Sequence, residues 1–176
     1  PYQCENKNEL LVIMAHTDTV FPDLGPFTVK VEGNVASCPG IGDDTANVSI
    51  LLTLIKYVIE NKLNAPKGVV FVLNAGEEGL GNLKGSRQIV KDYEGRISEF
   101  VSLDGSYTGV CNGAVGSMRY NVEVKTEGGH SYGSFGNRNA IQRLAAIIEK
   151  LYQVEVPHDG NSKTTYNVGM ISGGTS

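Results

Sequence analysis

Three short apolar runs in this chain each end on a histidine or a carboxylate, and that repetition constrains the fold more than any other feature. "ELLVIMA" (9–15) runs into His16, "VVFVLNAG" (69–76) into Glu77 and Glu78, and "EFVSL" (99–103) into Asp104. Continuous apolar runs of this length read as strands buried on both faces of a sheet. Between the first two, Val48, Leu51, Leu52, Ile55, Val58 and Ile59 recur at three- and four-residue spacings, the stripe of a helix packed on a sheet. "NAPKG" (64–68) breaks that helix, and a second, shorter one is expected over 84–93. Strands alternating with helices at this spacing predict an α/β fold with right-handed crossovers and a mainly parallel sheet flanked by helices. Ligands of such sheets collect beyond the carboxyl ends of the strands, so His16, Glu77, Glu78 and Asp104 are expected along one edge.

Adjacent carboxylates such as Glu77 and Glu78 repel one another unless a cation or a proton sits between them. "PGIGDDTANV" holds a second acidic pair, Asp43 and Asp44, between a glycine-rich turn and the first helix. Helix capping accounts for Asp44 near the N-cap but not for both aspartates. In "HTD", His16 and Asp18 lie two apart on an extended segment, so their side chains leave on one face. A carboxylate so placed can accept from one ring nitrogen and leave the other free for a metal. One histidine among several carboxylates is a mixed nitrogen and oxygen set that suits zinc, with cobalt or manganese as alternatives.

Composition removes other classes of function. The net charge is -4 with a pI near 5.4, and no basic run interleaves with aromatics, which argues against a nucleic-acid partner. No apolar stretch approaches the length needed to span a bilayer, so no membrane partner is expected. Cys4, Cys38 and Cys111 are odd in number and far apart, which argues for free thiols in a reducing, cytoplasmic setting.

After about Val110 the texture changes. "GSMRYNVEVKTEGGHSYG" alternates like a half-exposed antiparallel strand, "NAIQRLAAIIEKLYQV" repeats Ile141, Leu144, Ala145, Ile148 and Leu151 as a helix, and "TTYNVGMISGG" reads as another strand. The expected division is a catalytic portion over 1–112 and part of a small α+β domain over 113–176.

"AHTDTV", "GIGDDTANV", "NAGEEGLG", "SLDG" and "GGHSYGS", in this order and spacing, resemble the M20 family of di-zinc metallopeptidases, most closely its peptidase T-like, tripeptide aminopeptidase branch. The resemblance covers nearly the whole chain. It implies two zinc ions held by His16, Asp43, Glu78 and Asp104, with Asp43 bridging them. It further implies that metal-bound water is the nucleophile, that Glu77 is the general base, and that Asp18 orients His16. His130 would belong to a lid domain that in the family often mediates dimerisation, and would help hold the substrate or its oxyanion. The Asp43–Asp44 peptide bond is expected to be cis. The implied substrate is a short peptide, with deacylation of N-acyl amino acids, or a non-catalytic module keeping the fold, as the alternatives. Most family members carry a lysine and glycines after the acidic pair, where this chain has Thr45, Ala46 and Asn47, a departure expected to bear on the start of the helix more than on the ligands. The family's last ligand, a histidine near its C-terminus, has no counterpart before Ser176. These residues are therefore expected to be a portion of a longer enzyme, incomplete for catalysis alone.

Overall fold

A computed structural model describes residues 4–22, 25–105, 107–158, 160 and 163–175. Two compact units divide the chain, Pro1–Gly109 and Val110–Ser176.

The first unit is built on a three-stranded parallel sheet. Its strands are β1 (Cys4–His16), β4 (Ala65–Asn74) and β5 (Ile97–Ser102). β1 lies between the other two, and this placement explains its sequence. Leu10, Val12 and Ala15 have no exposed surface and Met14 almost none, because β1 is covered on both edges and both faces. Pairing follows the period of two: Val12 and Met14 sit beside Val70 and Val72, and Leu11 and Ile13 beside Val69 and Phe71. Val12, Met14 and Val72 form the core of one face, against which Ile89 of helix α2 (Lys84–Asp92) packs. Leu11, Ile13, Val69 and Phe71 line the other face together with Leu54 and Val58 of helix α1 (Ala46–Glu60). Helices thus cover both faces of a parallel sheet, as the alternation of strands and helices predicts.

The expectations need correcting at several points. β4 begins at Ala65, so "NAPKG" belongs largely to the strand, and Pro66 is tolerated near the start of an edge strand because it has no amide to donate. β5 is exposed along most of its length instead of buried, because among the described residues β1 is its only neighbour. In α1 the buried stripe shifts by one row: Leu51 is fully buried, while Leu52 and Ile59 are each about half exposed. A hairpin that the apolar pattern missed joins β2 (Lys30–Glu32) to β3 (Val35–Ser37) through Gly33 and Asn34. Its signal was the two-residue glycine-asparagine loop, with Gly33 at φ 60°.

In the second unit the helix forms as α3 (Ala140–Leu151), with the Asn139 side chain accepting from the Gln142 amide as its N-cap. The two flanking strands do not form. Among the described residues only an isolated antiparallel bridge, His158 to Lys163, pairs there. Alternation makes a segment competent for a sheet, but a strand exists only where a neighbour takes up its amides and carbonyls. Side chains hold the last segment instead. The Tyr152 hydroxyl donates to Asn167 Oδ1 and accepts from the Val168 amide, and the Tyr166 hydroxyl donates to the Val154 carbonyl. Among the described residues no helix is long and apolar enough to cross a membrane.

The burial of α1 gives a direct test. Leu51→Ala should cost about 2–5 kcal/mol in urea unfolding, the range for emptying a buried leucine site, whereas Leu52→Ala should stay within about 0.5 kcal/mol as a surface change. Equal effects would mean that the wrong face of α1 has been assigned to the sheet.

Candidate metal centre

Parallel pairing brings the strand ends into line. His16, the last residue of β1, pairs with Asn74, the last of β4, and the Leu103 amide just past β5 donates to the Met14 carbonyl. Everything that follows these positions emerges at one edge. Beyond His16, the Thr17 amide and hydroxyl both donate to the Asn74 carbonyl, which locks the start of the "HTD" segment to β4.

The His16 ring is almost wholly buried, with 2% of its surface exposed. Its Nδ1 lies 3.0 Å from the Asp18 main-chain carbonyl, which can only accept, so Nδ1 carries the proton. Nε2 is left with a lone pair, buried and without a hydrogen-bond partner. It faces other acceptors: Asp43 Oδ1 at 3.0 Å and Glu77 Oε2 at 4.0 Å. Acceptors turned toward one another in a buried site need a positive centre between them. Ligand atoms of His16, Asp43 and Glu78 lie within 4.8 Å of one another, and so do those of His16, Asp44 and Asp104. The three carboxylates expected as ligands therefore gather around the His16 imidazole, with Asp44 among them, in a donor set of one nitrogen and several carboxylate oxygens that fits zinc.

Asp18 departs from its expected role. It meets the ring chiefly through its carbonyl, its carboxylate being 3.6 Å from Nδ1. That carboxylate instead accepts from the amides of Glu77 at 3.3 Å and Glu78 at 3.0 Å. Burial alone would raise its pKa, but these two backbone hydrogen bonds outweigh burial and hold it below the usual value. The glutamates shift the other way. Burial first, then the charges of Asp104, Asp18 and Asp43, raise Glu77 against the opposing pull of His16. Burial and the charges of Asp43 and Glu77 raise Glu78. Burial works to lower the pKa of His16, but Asp44, the Asp18 carbonyl, Glu77 and Asp104 raise it overall.

The acidic pair of "GIGDDT" sits in a distorted turn, Ile41–Thr45, with the Asp43–Asp44 bond cis. Gly40 precedes it at φ 71°, and a Cβ there would lie 2.5 Å from Thr19 Cγ2, so only glycine lets this turn approach the "HTD" segment. Asp44 does not cap the helix. α1 starts from Thr45 with no side-chain cap, and Asp44 is 1% exposed, with Oδ2 accepting from the His16 amide at 2.8 Å and Oδ1 from Asn47 Nδ2 at 2.6 Å.

Residues 12–173 match the model of peptidase family M20/M25/M40. The chain belongs to this family. Among curated proteins it is similar to a succinyl-diaminopimelate desuccinylase of Nitrosomonas eutropha, at 27% identity over 94% of this chain and 48% of that protein. It is also similar to probable carboxypeptidases of Ajellomyces capsulatus, at 22% over 93% of this chain and 41% of that protein, and of Trichophyton verrucosum, at 23% over 93% and 39%. The chain thus spans less than half the length of these relatives.

Asn47 is the residue of this M20/M25/M40 site that sequence reasoning missed. The Thr-Ala-Asn after the acidic pair was expected to bear on the helix start more than on the ligands, yet Asn47 is buried and bonded to Asp44. An amide three residues past a carboxylate, on the first turn of a helix, was the available signal.

His130 lies in the second unit, exposed, just before a run of turns over 131–136. Its Nδ1 accepts from the amides of Tyr132 and Gly133, both at 3.2 Å, so the neutral ring carries its proton on Nε2. The same stretch, Gly129 to Gly133, spells G-x-S-x-G, but no strand leads into it and no helix starts before Ala140, so it lacks the strand–turn–helix of a nucleophile elbow. Glu127 and Arg138 close the loop: the Arg138 amide and Nε donate to the Glu127 carboxylate, and Asn137 Nδ2 donates to the Gly128 carbonyl. Hydrogen bonds from its own amide and that of Arg138 hold the Glu127 pKa below its usual value.

A depressed folded pKa means that this tie stabilises the loop above the unfolded glutamate value and is lost as pH falls through the folded one. Acidification should therefore shift the amide resonances of Gly128 and Gly129, and Glu127→Gln should produce the shift at neutral pH. An identical acid response in wild type and variant would remove Glu127 as the cause.

Proposed function

We propose that the protein carrying these residues is a zinc-dependent aminopeptidase of the peptidase T-like kind, acting on short peptides with a free amino terminus. The observation that carries the metal-dependent reading is the buried His16 Nε2, whose lone pair meets only carboxylate oxygens. His16, Asp43, Glu78 and Asp104 would hold two zinc ions, with cobalt or manganese as substitutes. Zinc bound there supplies Lewis acidity, polarising the scissile carbonyl and making water acidic enough to attack near neutral pH.

The chain's own groups do the rest. Glu77 takes the proton of the attacking water and returns it to the leaving amine, a duty that its place 4.0 Å from His16 Nε2, beside the ligands, suits. Asp18 pins the amides of Glu77 and Glu78, so the base and its neighbour keep their places beside His16. His130, with its proton on Nε2, is the donor proposed for the tetrahedral oxyanion. The second unit is proposed to pair two copies of the chain. The free thiols of Cys4, Cys38 and Cys111 support a cytoplasmic setting.

A second reading, hydrolysis of an N-acyl amino acid, draws on the desuccinylase among the relatives. The same centre serves either amide. Turnover of free-amine tripeptides against N-acetyl and N-succinyl amino acids by the zinc-loaded protein separates the two, and activity confined to the N-acyl substrates would overturn the aminopeptidase assignment. Glu77→Gln should lower kcat roughly 10²- to 10⁴-fold while zinc content stays at the wild-type level. Unchanged turnover would remove Glu77 as the base.

A further inference from the structure

The first turn of α1 and the last residue of β1 meet at one buried carboxylate. Asp44 is 1% exposed, His16 2% and Asn47 3%. Both Asp44 oxygens are taken: Oδ2 accepts from the His16 main-chain amide at 2.8 Å, and Oδ1 from Asn47 Nδ2 at 2.6 Å. A carboxylate only accepts, so the Asn47 amide must present its nitrogen. Asn47 is costly where it stands. Asparagine is a poor helix former, and burying its amide is unfavourable unless the group is bonded. Among the described residues that bond goes to Asp44.

Asp44 in turn governs two residues of the centre. It follows Asp43 directly in the chain, and it holds the amide of His16, whose ring nitrogen lies 3.0 Å from Asp43. Without the Asn47 donor, the buried Oδ1 has no partner and the carboxylate is free to turn, which loosens the His16 backbone and the Asp43 peptide together.

We propose that Asn47 is a positioning residue that sets the metal affinity of this site, acting through Asp44 on the placement of His16 and Asp43. The inference rests on the metal reading given above.

The test is zinc affinity by chelator competition, together with the visible absorption spectrum of the cobalt(II)-loaded protein, for wild type, Asn47→Ala and Asn47→Leu. The leucine variant keeps the branched shape of the side chain and favours the helix more than asparagine does, so a loss in it reports the missing amide and not a weakened helix. Both variants should bind zinc roughly 10- to 100-fold more weakly and show an altered cobalt spectrum. In an Asp44→Asn background, Asn47→Ala should add little further loss, because its partner is already changed. Wild-type zinc affinity and spectrum in both variants would overturn the inference while leaving the metal reading intact, as would fully additive losses in the double variant. Failure of both single variants to fold would assign Asn47 a purely structural role and overturn it as well. A wild-type protein that binds no zinc would overturn the metal reading, and the inference with it.

Discussion

The crowding of negative charge around one imidazole is the constraint on which the rest of this structure depends. Asp18, Asp43, Asp44, Glu77, Glu78 and Asp104 all approach His16. Glu77 apart, they fall into two groups according to what the protein supplies to them. Asp18 receives two backbone amides, and Asp44 receives a backbone amide and a buried side-chain amide. Asp43, Glu78 and Asp104 are given no such hydrogen bond among the described residues, and each shares ligand-atom distances with His16, as Asp44 also does. Charges that the fold satisfies act as fasteners, and charges that it leaves open are the ones a cation can use.

The fasteners work because β1 runs through the middle of a parallel sheet. A central parallel strand has its carboxyl end level with those of both neighbours, so a side chain two residues beyond it can reach the turn after β4, as Asp18 does, and its last amide remains free to meet the turn before α1. Close approach is needed on both sides. At Gly81 a Cβ would fall 2.6 Å from the main chain of Gly76, so the loop carrying the two glutamates folds back on itself only with glycine at that point. The three segments are thus tied by main-chain hydrogen bonds to carboxylates and not by apolar packing, which is why the site end can be polar while Leu10, Val12 and Met14 behind it are dry.

Much of this was legible in the sequence, because strand ends leave a mark. Apolar runs ending on His16, on Glu77 and Glu78, and on Asp104 fixed both the sheet and the edge that matters, and the acidic pair fell where a cis bond is found. What the sequence did not disclose were relationships that depend on direction. Nothing in "HTD" says whether Asp18 meets the ring through its carboxylate or its carbonyl, and nothing in "DDTAN" says that Asp44 reaches across to β1 instead of capping its own helix. The alternating segments on either side of α3 were misread for a related reason: alternation describes one strand's two faces and is silent about whether a partner lies beside it. The exposed β5 shows the same limit, since "EFVSL" is apolar enough for a buried strand yet has one neighbour among the described residues.

The adjacency of Glu77 and Glu78 follows from the same geometry. By accepting from both amides, Asp18 fixes two successive peptide units, and side chains on consecutive residues then leave in different directions. Glu77 is turned toward His16 Nε2 at 4.0 Å, while Glu78 joins the group formed with Asp43. One fastener therefore divides two identical residues between two environments, which is the separation that the roles proposed for Glu77 as base and Glu78 as ligand require. The relatives matched over these residues carry the names of a desuccinylase and of carboxypeptidases. On the proposed reading such a centre would handle water and an amide carbonyl whatever is attached to the amide, so the choice among substrates would fall to groups that touch the rest of the substrate.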